Sequence, residues 1–178
     1  MLFRSAVMVG LEELFLAERP DVVVVYGDVN STVAAALVAA KLQIPLAHVE
    51  AGLRSFDATM PEEVNRLVTD RLSDVLFATS ADAVAHLGNE GTDPDRIHLV
   101  GNPMIDTLLA HLDAFDVEAA RARHELTGRY AVATLHRPAN VDAGADAAAL
   151  VQTLHAAADQ VPIVVPRSEE HTSELQSP

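Results

Sequence analysis

Ile44-Pro45-Leu46-Ala47-His48-Val49-Glu50-Ala51-Gly52-Leu53-Arg54 is an apolar strand that closes on a histidine, a carboxylate and an arginine. Strands of open α/β sheets present their chemistry at their carboxyl ends, where ligands bind in the crevice above the sheet. A buried strand ending in His-x-Glu-x-x-x-Arg is therefore a candidate active-site edge. The plain alternative is a strand-end salt bridge ahead of a well-capped helix. The run Pro61-Glu62-Glu63-Val64-Asn65-Arg66 follows almost at once and opens a helix with proline and two acids, as the helix dipole favours.

Working outward, the same unit repeats. Asp21-Val22-Val23-Val24-Val25-Tyr26-Gly27 is a continuous β-branched run, the mark of a parallel strand covered on both faces. It ends in Gly27-Asp28, and a helix of alanines and leucines follows to Leu42, with Asn30 or Ser31 placed to cap it. Residues 2 to 18 carry Leu2, Val7, Met8, Leu11, Leu14 and Phe15 at helical spacing, which predicts an amphipathic helix. A domain that opens on a helix suggests that an earlier strand is missing. Downstream, the helix from Pro61 places Val64, Leu67, Val68 and Leu72 on one apolar face. A third strand is expected over 74–80, a short helix over 81–87 closed by glycines, and a fourth strand over 96–100 with His98 packed inside it. Ile105 to Leu112 continues as helix.

Regular alternation of strand and helix predicts an α/β fold with doubly wound parallel sheets. The polar stretch Asp113 to Gly128 marks a boundary, so residues 1–112 belong to a first domain and 113–166 begin a second. There Tyr130 to Leu135 reads as a buried strand ending in His136-Arg137-Pro138-Ala139-Asn140. A helix over about 145–159 and a strand over 161–165 follow. Residues 167–178 are polar and aperiodic. They read either as a solvated tail or as foreign sequence resembling a translated sequencing adapter, and the second reading is adopted.

Composition excludes several classes. The net charge is −14 over 178 residues and Lys41 is the only lysine, which argues against nucleic acid and against a basic membrane patch. No apolar run approaches the ~18 residues of a membrane span. There is no cysteine, hence no disulfide framework or thiolate metal site, in keeping with a cytoplasmic protein. No dinucleotide, P-loop or zinc motif is present.

Asp28 and Glu50 stand at the ends of neighbouring strands. Two carboxylates on one sheet edge form a natural acid/base pair, because repulsion and partial burial push their pKa values apart. Asp28 also reads as a turn or cap residue, whereas Glu50 has no obvious structural use. Arg54 and Arg66 are forked donors suited to phosphate or carboxylate. His136 and Arg137 face the carboxyl edge of the second sheet, where they suit an anionic ligand or proton donation.

Taken together, Gly27-Asp28, HVEAGLR, PEEVNR, GNPMID and LHRPAN resemble the non-hydrolysing UDP-N-acetylglucosamine 2-epimerases, in order and spacing from about residue 10 to 165. The resemblance implies two Rossmann-like domains facing across a cleft (GT-B-like), both incomplete in this chain. It implies interconversion of UDP-N-acetylglucosamine and UDP-N-acetylmannosamine through elimination of UDP to 2-acetamidoglucal and re-addition. No cofactor or metal is implied, the partner is the UDP-sugar, and the full-length protein is expected to be a homodimer. Carried over by motif, Asp28, Glu50, Glu62 and His136 are catalytic, and Arg54, Arg66, Asn102 and Arg137 bind substrate.

Three departures stand out. The family's opening strand with its Gly-Thr-Arg-Pro-Glu turn is absent, the His-Pro-Arg segment after Val165-Pro166 is replaced by the tail, and Ala139 stands where many members have glutamate. The chain as given is therefore expected neither to epimerise nor to bind UDP tightly. A GT-B glycosyltransferase and a non-catalytic nucleotide-sugar-binding module are the competing readings. HVEAGLR with PEE opposes the first, and retention of three carboxylates opposes the second.

Overall fold

A computed structural model describes residues 2–134 and 145–166, which fall into two compact units, Met1–Leu112 and Asp113–Pro178. In the first, α1 (Leu2–Glu18), β1 (Val23–Tyr26), α2 (Asn30–Lys41), β2 (Leu46–Ala51), α3 (Pro61–Leu72), β3 (Val75–Ala78), α4 (Ala81–Asn89), β4 (Ile97–Leu99) and α5 (Pro103–Ala110) follow in order. The four strands are parallel and adjacent in the order β1-β2-β3-β4. Parallel neighbours need crossovers, and right-handed crossovers between successive strands bring α2, α3 and α4 to one face. Helix α2 packs against both α1 and α3.

The core lies between those helices and the sheet. Val23, Val25 and Leu46 meet Phe15, Ala36, Val38 and Ala39. Beside them Ala51, Leu76 and Ala78 meet Ala83 and Leu87. Alanines along α2 let the helix sit close to the strands. The fully buried Leu46, Leu76 and Leu87 each contribute roughly 1.5–3 kcal/mol of apolar burial.

Several expectations are corrected. The valine run of β1 is covered on one face only among the described residues, since Val24 is 48% and Tyr26 65% exposed while Val23 and Val25 are buried. His98 is exposed in β4, its ring centroid 5.9 Å from that of Phe77. Val29, not Asn30 or Ser31, occupies the N-cap of α2, without a side-chain bond; the Thr32 hydroxyl instead donates to the Tyr26 carbonyl at 2.6 Å. Helix α3 keeps its expected apolar face at Leu72, which packs against the core, and departs from it nearer its start. Its buried residues are Glu63, Asn65, Thr69 and Asp70, whereas Val64 and Leu67 are exposed.

In the second unit α6 (Val117–Arg123) occupies part of the stretch read as a boundary, with Asp116 accepting from the Ala119 N–H at 2.8 Å. Strands β5 (Ala131–Val132) and β6 (Ile163–Val164) pair in parallel, joined through a connection that includes α7 (Ala145–Ala158). Val132 is 59% exposed, so the buried strand expected here is not buried among the described residues. His136, Arg137 and the tail 167–178 lie outside the described residues. No helix among the described residues is long and apolar enough to cross a membrane.

Candidate active site

The parallel register sets Tyr26 beside Val49. Asp28, two residues past β1, and Glu50, near the end of β2, therefore share one sheet edge. Helix α3 holds them together. Arg66 Nη1 lies 2.7 Å from Asp28 Oδ2 and Nη2 lies 3.5 Å from Glu50 Oε2, and Nε donates to the Glu50 carbonyl at 3.3 Å. Asn65 Nδ2 donates to the Asp28 carbonyl at 2.8 Å. Both carboxylates keep about a quarter of their side-chain surface in solvent, at 26% and 28%, so they are ordered by the helix yet open to a ligand.

The backbone at Glu50 is unusual. Pairing with β3 shifts register between Val49 and Ala51, and Glu50 has φ +73°. A non-glycine residue in that region costs about 1–3 kcal/mol and persists only where its surroundings over-determine it. The bulge re-aims the side chain so that Oε2 lies over the turn after β1. A Cβ at Gly27 would stand 3.2 Å from that oxygen, so glycine there makes room for the carboxylate.

Beneath this pair is a sealed polar network. His48 is fully buried; its Nδ1 lies 2.6 Å from Asp70 Oδ1 and its Nε2 2.8 Å from the Gly27 carbonyl. Asp70 Oδ2 accepts from the Gly52 N–H at 3.1 Å and meets Arg54 Nη1 at 2.8 Å. The Arg54 side chain is 1% exposed and is also bound to Glu90 at 2.7 Å. Burial alone would lower the Arg54 pKa, but hydrogen bonds and charge from Glu90 and Asp70 outweigh it and raise it above its ordinary value. Arg54, expected at the substrate, is thus committed to internal partners.

The two glutamates of PEE separate cleanly. Glu63 is 5% exposed and accepts from the Ser55 N–H at 2.8 Å, the Ser55 hydroxyl at 3.0 Å and the Phe56 N–H at 3.2 Å. Burial pushes its pKa up, yet those bonds and the Arg54 charge prevail and hold it below the ordinary carboxylate range. Glu62 is exposed, makes no hydrogen bond or ion pair among the described residues, and stands four residues before Arg66, on the same side of α3. Asn102 caps α5, accepting from the Met104 N–H at 3.0 Å.

The structure thus brings Asp28, Glu50 and Arg66 together, leaves Glu62 free nearby on the same helix, and gives Arg54 and Asn102 structural partners. Sequence reasoning missed Asn65, Asp70 and the bracing role of His48. The signal was there in Glu63, Arg66 and Asp70, which recur at the spacing of one helix face. Among the described residues no cluster of His, Asp and Glu could hold a metal ion.

Comparison with known proteins adds the relatives. The family model described as UDP-N-acetylglucosamine 2-epimerase matches residues 3–176. A UDP-N-acetylglucosamine 2-epimerase of Methanocaldococcus jannaschii is 47% identical over 139 residues, 76% of this chain and 38% of the relative. A UDP-2,3-diacetamido-2,3-dideoxy-D-glucuronate 2-epimerase of Pseudomonas aeruginosa is 41% identical over 164 residues, 89% of this chain and 45% of the relative. Among solved structures, the M. jannaschii UDP-GlcNAc 2-epimerase in complex with UDP-GlcNAc and UDP superposes with a TM-score of 0.89 at 39% identity, over 97% of this chain and 49% of that one. The Neisseria meningitidis enzyme bound to UDP-GlcNAc gives 0.84 at 28% identity, over 93% and 47%. The chain therefore spans half or less of these relatives.

Proposed function

The chain belongs to the UDP-N-acetylglucosamine 2-epimerase family, and on that premise we propose that it forms the acid/base half of an enzyme that inverts C2 of a UDP-2-acetamido sugar without a cofactor. The observation that carries the reading is the Asp28–Arg66–Glu50 cluster at the carboxyl edge of the sheet. The C2 proton has no carbonyl beside it and is not acidic. One carboxylate takes that proton while the C1–O bond breaks; the bonding pair leaves with UDP and a C1=C2 double bond forms. UDP oxygen then returns to C1 as a second acid delivers a proton to the opposite face of C2. Inversion in this way needs groups on both faces, and Asp28, Glu50 and Glu62 are the groups assigned to them. Arg66 fixes the first two. Arg54 and Asn102 serve the site by bracing it, through Asp70 and through the start of α5.

His136 and Arg137 are assigned to the diphosphate, in a second Rossmann-like domain, on the strength of the LHRPAN motif. That two-domain, doubly wound architecture, and assembly as a homodimer, rest on the resemblance. The reading of residues 167–178 as foreign rests on their polar, aperiodic composition, although the family match runs through most of them; sequencing the gene through this junction decides it.

The test is turnover by the chain at the full length of its relatives. UDP-N-acetylglucosamine in deuterated water should give UDP-N-acetylmannosamine with deuterium at C2, and no acceptor should be needed. The P. aeruginosa relative's substrate serves as a second arm. Absence of both conversion and C2 exchange with either sugar would refute the assignment.

A further inference from the structure

Among the described residues, Glu50 is the candidate acid/base group whose backbone is strained, at φ +73°. Something must hold it there, and its own contacts to α3 are long, the side chain meeting Arg66 at 3.5 Å and the carbonyl accepting from Arg66 Nε at 3.3 Å. The residues on either side are held far more firmly, and by the same group. Two residues before it, His48 Nδ1 lies 2.6 Å from Asp70 Oδ1. Two residues after it, the Gly52 N–H donates to Asp70 Oδ2 at 3.1 Å. One carboxylate on α3 therefore grips β2 on both sides of the bulge. The neighbouring turn is gripped too, because His48 Nε2 reaches the Gly27 carbonyl at 2.8 Å, immediately before Asp28. A carbonyl oxygen can only accept, so Nε2 carries a hydrogen. A further hydrogen must lie between Nδ1 and the Asp70 carboxyl. The ring is a two-ended link with no end left for a substrate, and it is fully buried.

We propose that Asp70 and His48 are positioning residues for this reaction: together they fix the backbone of Glu50 in its left-handed conformation and set its distance from Asp28. Neither touches substrate. Arg54 completes the device by balancing Asp70, at 2.8 Å and 1% exposure. This inference rests on the function proposed above and names the part of the fold that makes its acid/base geometry.

The experiment uses the full-length enzyme with Asp70→Asn, which keeps shape but turns one of the two acceptor oxygens into a donor, so that His48 Nδ1 and the Gly52 N–H can no longer both be held. The expected result is a fall in kcat of about 10- to 100-fold, with KM for the UDP-sugar and Kd for UDP within about twofold of the parent. A loss of general stability alone would not produce that split in folded protein. In a Glu50→Gln background the same substitution should change the residual rate by less than about twofold, because the residue through which Asp70 acts is already disabled. A folded Asp70→Asn enzyme with parental kcat, or an equal loss in both backgrounds, overturns the inference. If Asp70→Asn does not fold, His48→Gln is measured in the same cycle. If neither folds, the pair belongs to the core and the inference is overturned. Parental turnover with unaffected variants refutes this inference alone, whereas an inactive parent refutes the function on which it rests.

Discussion

Arg66 Nη1 sits 2.7 Å from Asp28 Oδ2, a bond between a helix of one βα unit and the turn of the unit before it. The same guanidinium extends to Glu50, so one cation ties together two acids that would otherwise repel. Hydrogen bonds to charged groups contribute about 1.5–3 kcal/mol. Arg66→Gln should therefore reduce kcat roughly 10- to 100-fold in the full-length enzyme, with fold and UDP affinity retained. Steady-state kinetics beside circular dichroism would check it, and an unchanged kcat would remove Arg66 from the site.

Glu63 predicts a specific acid sensitivity. Its folded pKa lies below the ordinary value, so its stabilisation is fully present above the unfolded pKa of about 4.3. That contribution is lost as pH falls through the folded pKa. Glu63→Gln should destabilise the chain at pH 7, and the gap from the parent should narrow as pH drops below about 4. Urea midpoints at pH 7 and at lower pH measure this. A gap independent of pH would mean that the ionised carboxylate is not what holds the Ser55–Phe56 loop.

Gly52 tests the packing of the bulge. Its φ is +80°, and a Cβ there would lie 2.4 Å from the Ala83 carbonyl oxygen and 2.9 Å from its carbon. That carbonyl is backbone and cannot swing aside as the end of a flexible side chain would. Gly52→Ala should cost more than the ~1–2 kcal/mol of left-handed backbone alone. Gly10→Ala, in α1 with no atom within 4 Å of the new Cβ, should stabilise by about 0.5–1 kcal/mol. Thermal unfolding of the two variants side by side should show shifts of opposite sign.

The parallel strands were legible because β-branched runs ended in turn residues at regular intervals, and a strand end is where a sheet shows its chemistry. Asp28 and Glu50 could be placed on one edge for that reason. What escaped was everything decided by tertiary contact. Val64 and Leu67 look like a core face, yet α3 lies over polar strand ends and buries Glu63, Asn65 and Asp70 instead. Arg54 carries the same charge as Arg66 and stands closer to Glu50 in sequence. The positions of Asp70 and Glu90, set by tertiary contact, send Arg54 inward. The exposure of His98 likewise depends on β4 being the last strand of its sheet, which local pattern does not report.

Glu50 carries the sharpest prediction, because stability and catalysis should respond to it in opposite senses. Glu50→Gln keeps the size of the side chain and removes proton transfer, so kcat should fall on the order of 10²–10⁴-fold with UDP affinity little changed. Exchange of the C2 proton with deuterated solvent should fall with it. Glu50→Gly removes the side chain and also relieves the backbone at φ +73°, a strain of about 1–3 kcal/mol. Against that relief stands the weak ion pair between the Glu50 carboxylate and Arg66 at 3.5 Å. The glycine variant should therefore be at least as stable as the parent while being inactive. A residue whose only use was structural would behave in reverse, with stability reduced in both variants and exchange per folded molecule preserved. Folded Glu50→Gln protein that exchanges C2 at the parental rate would remove Glu50 from the mechanism.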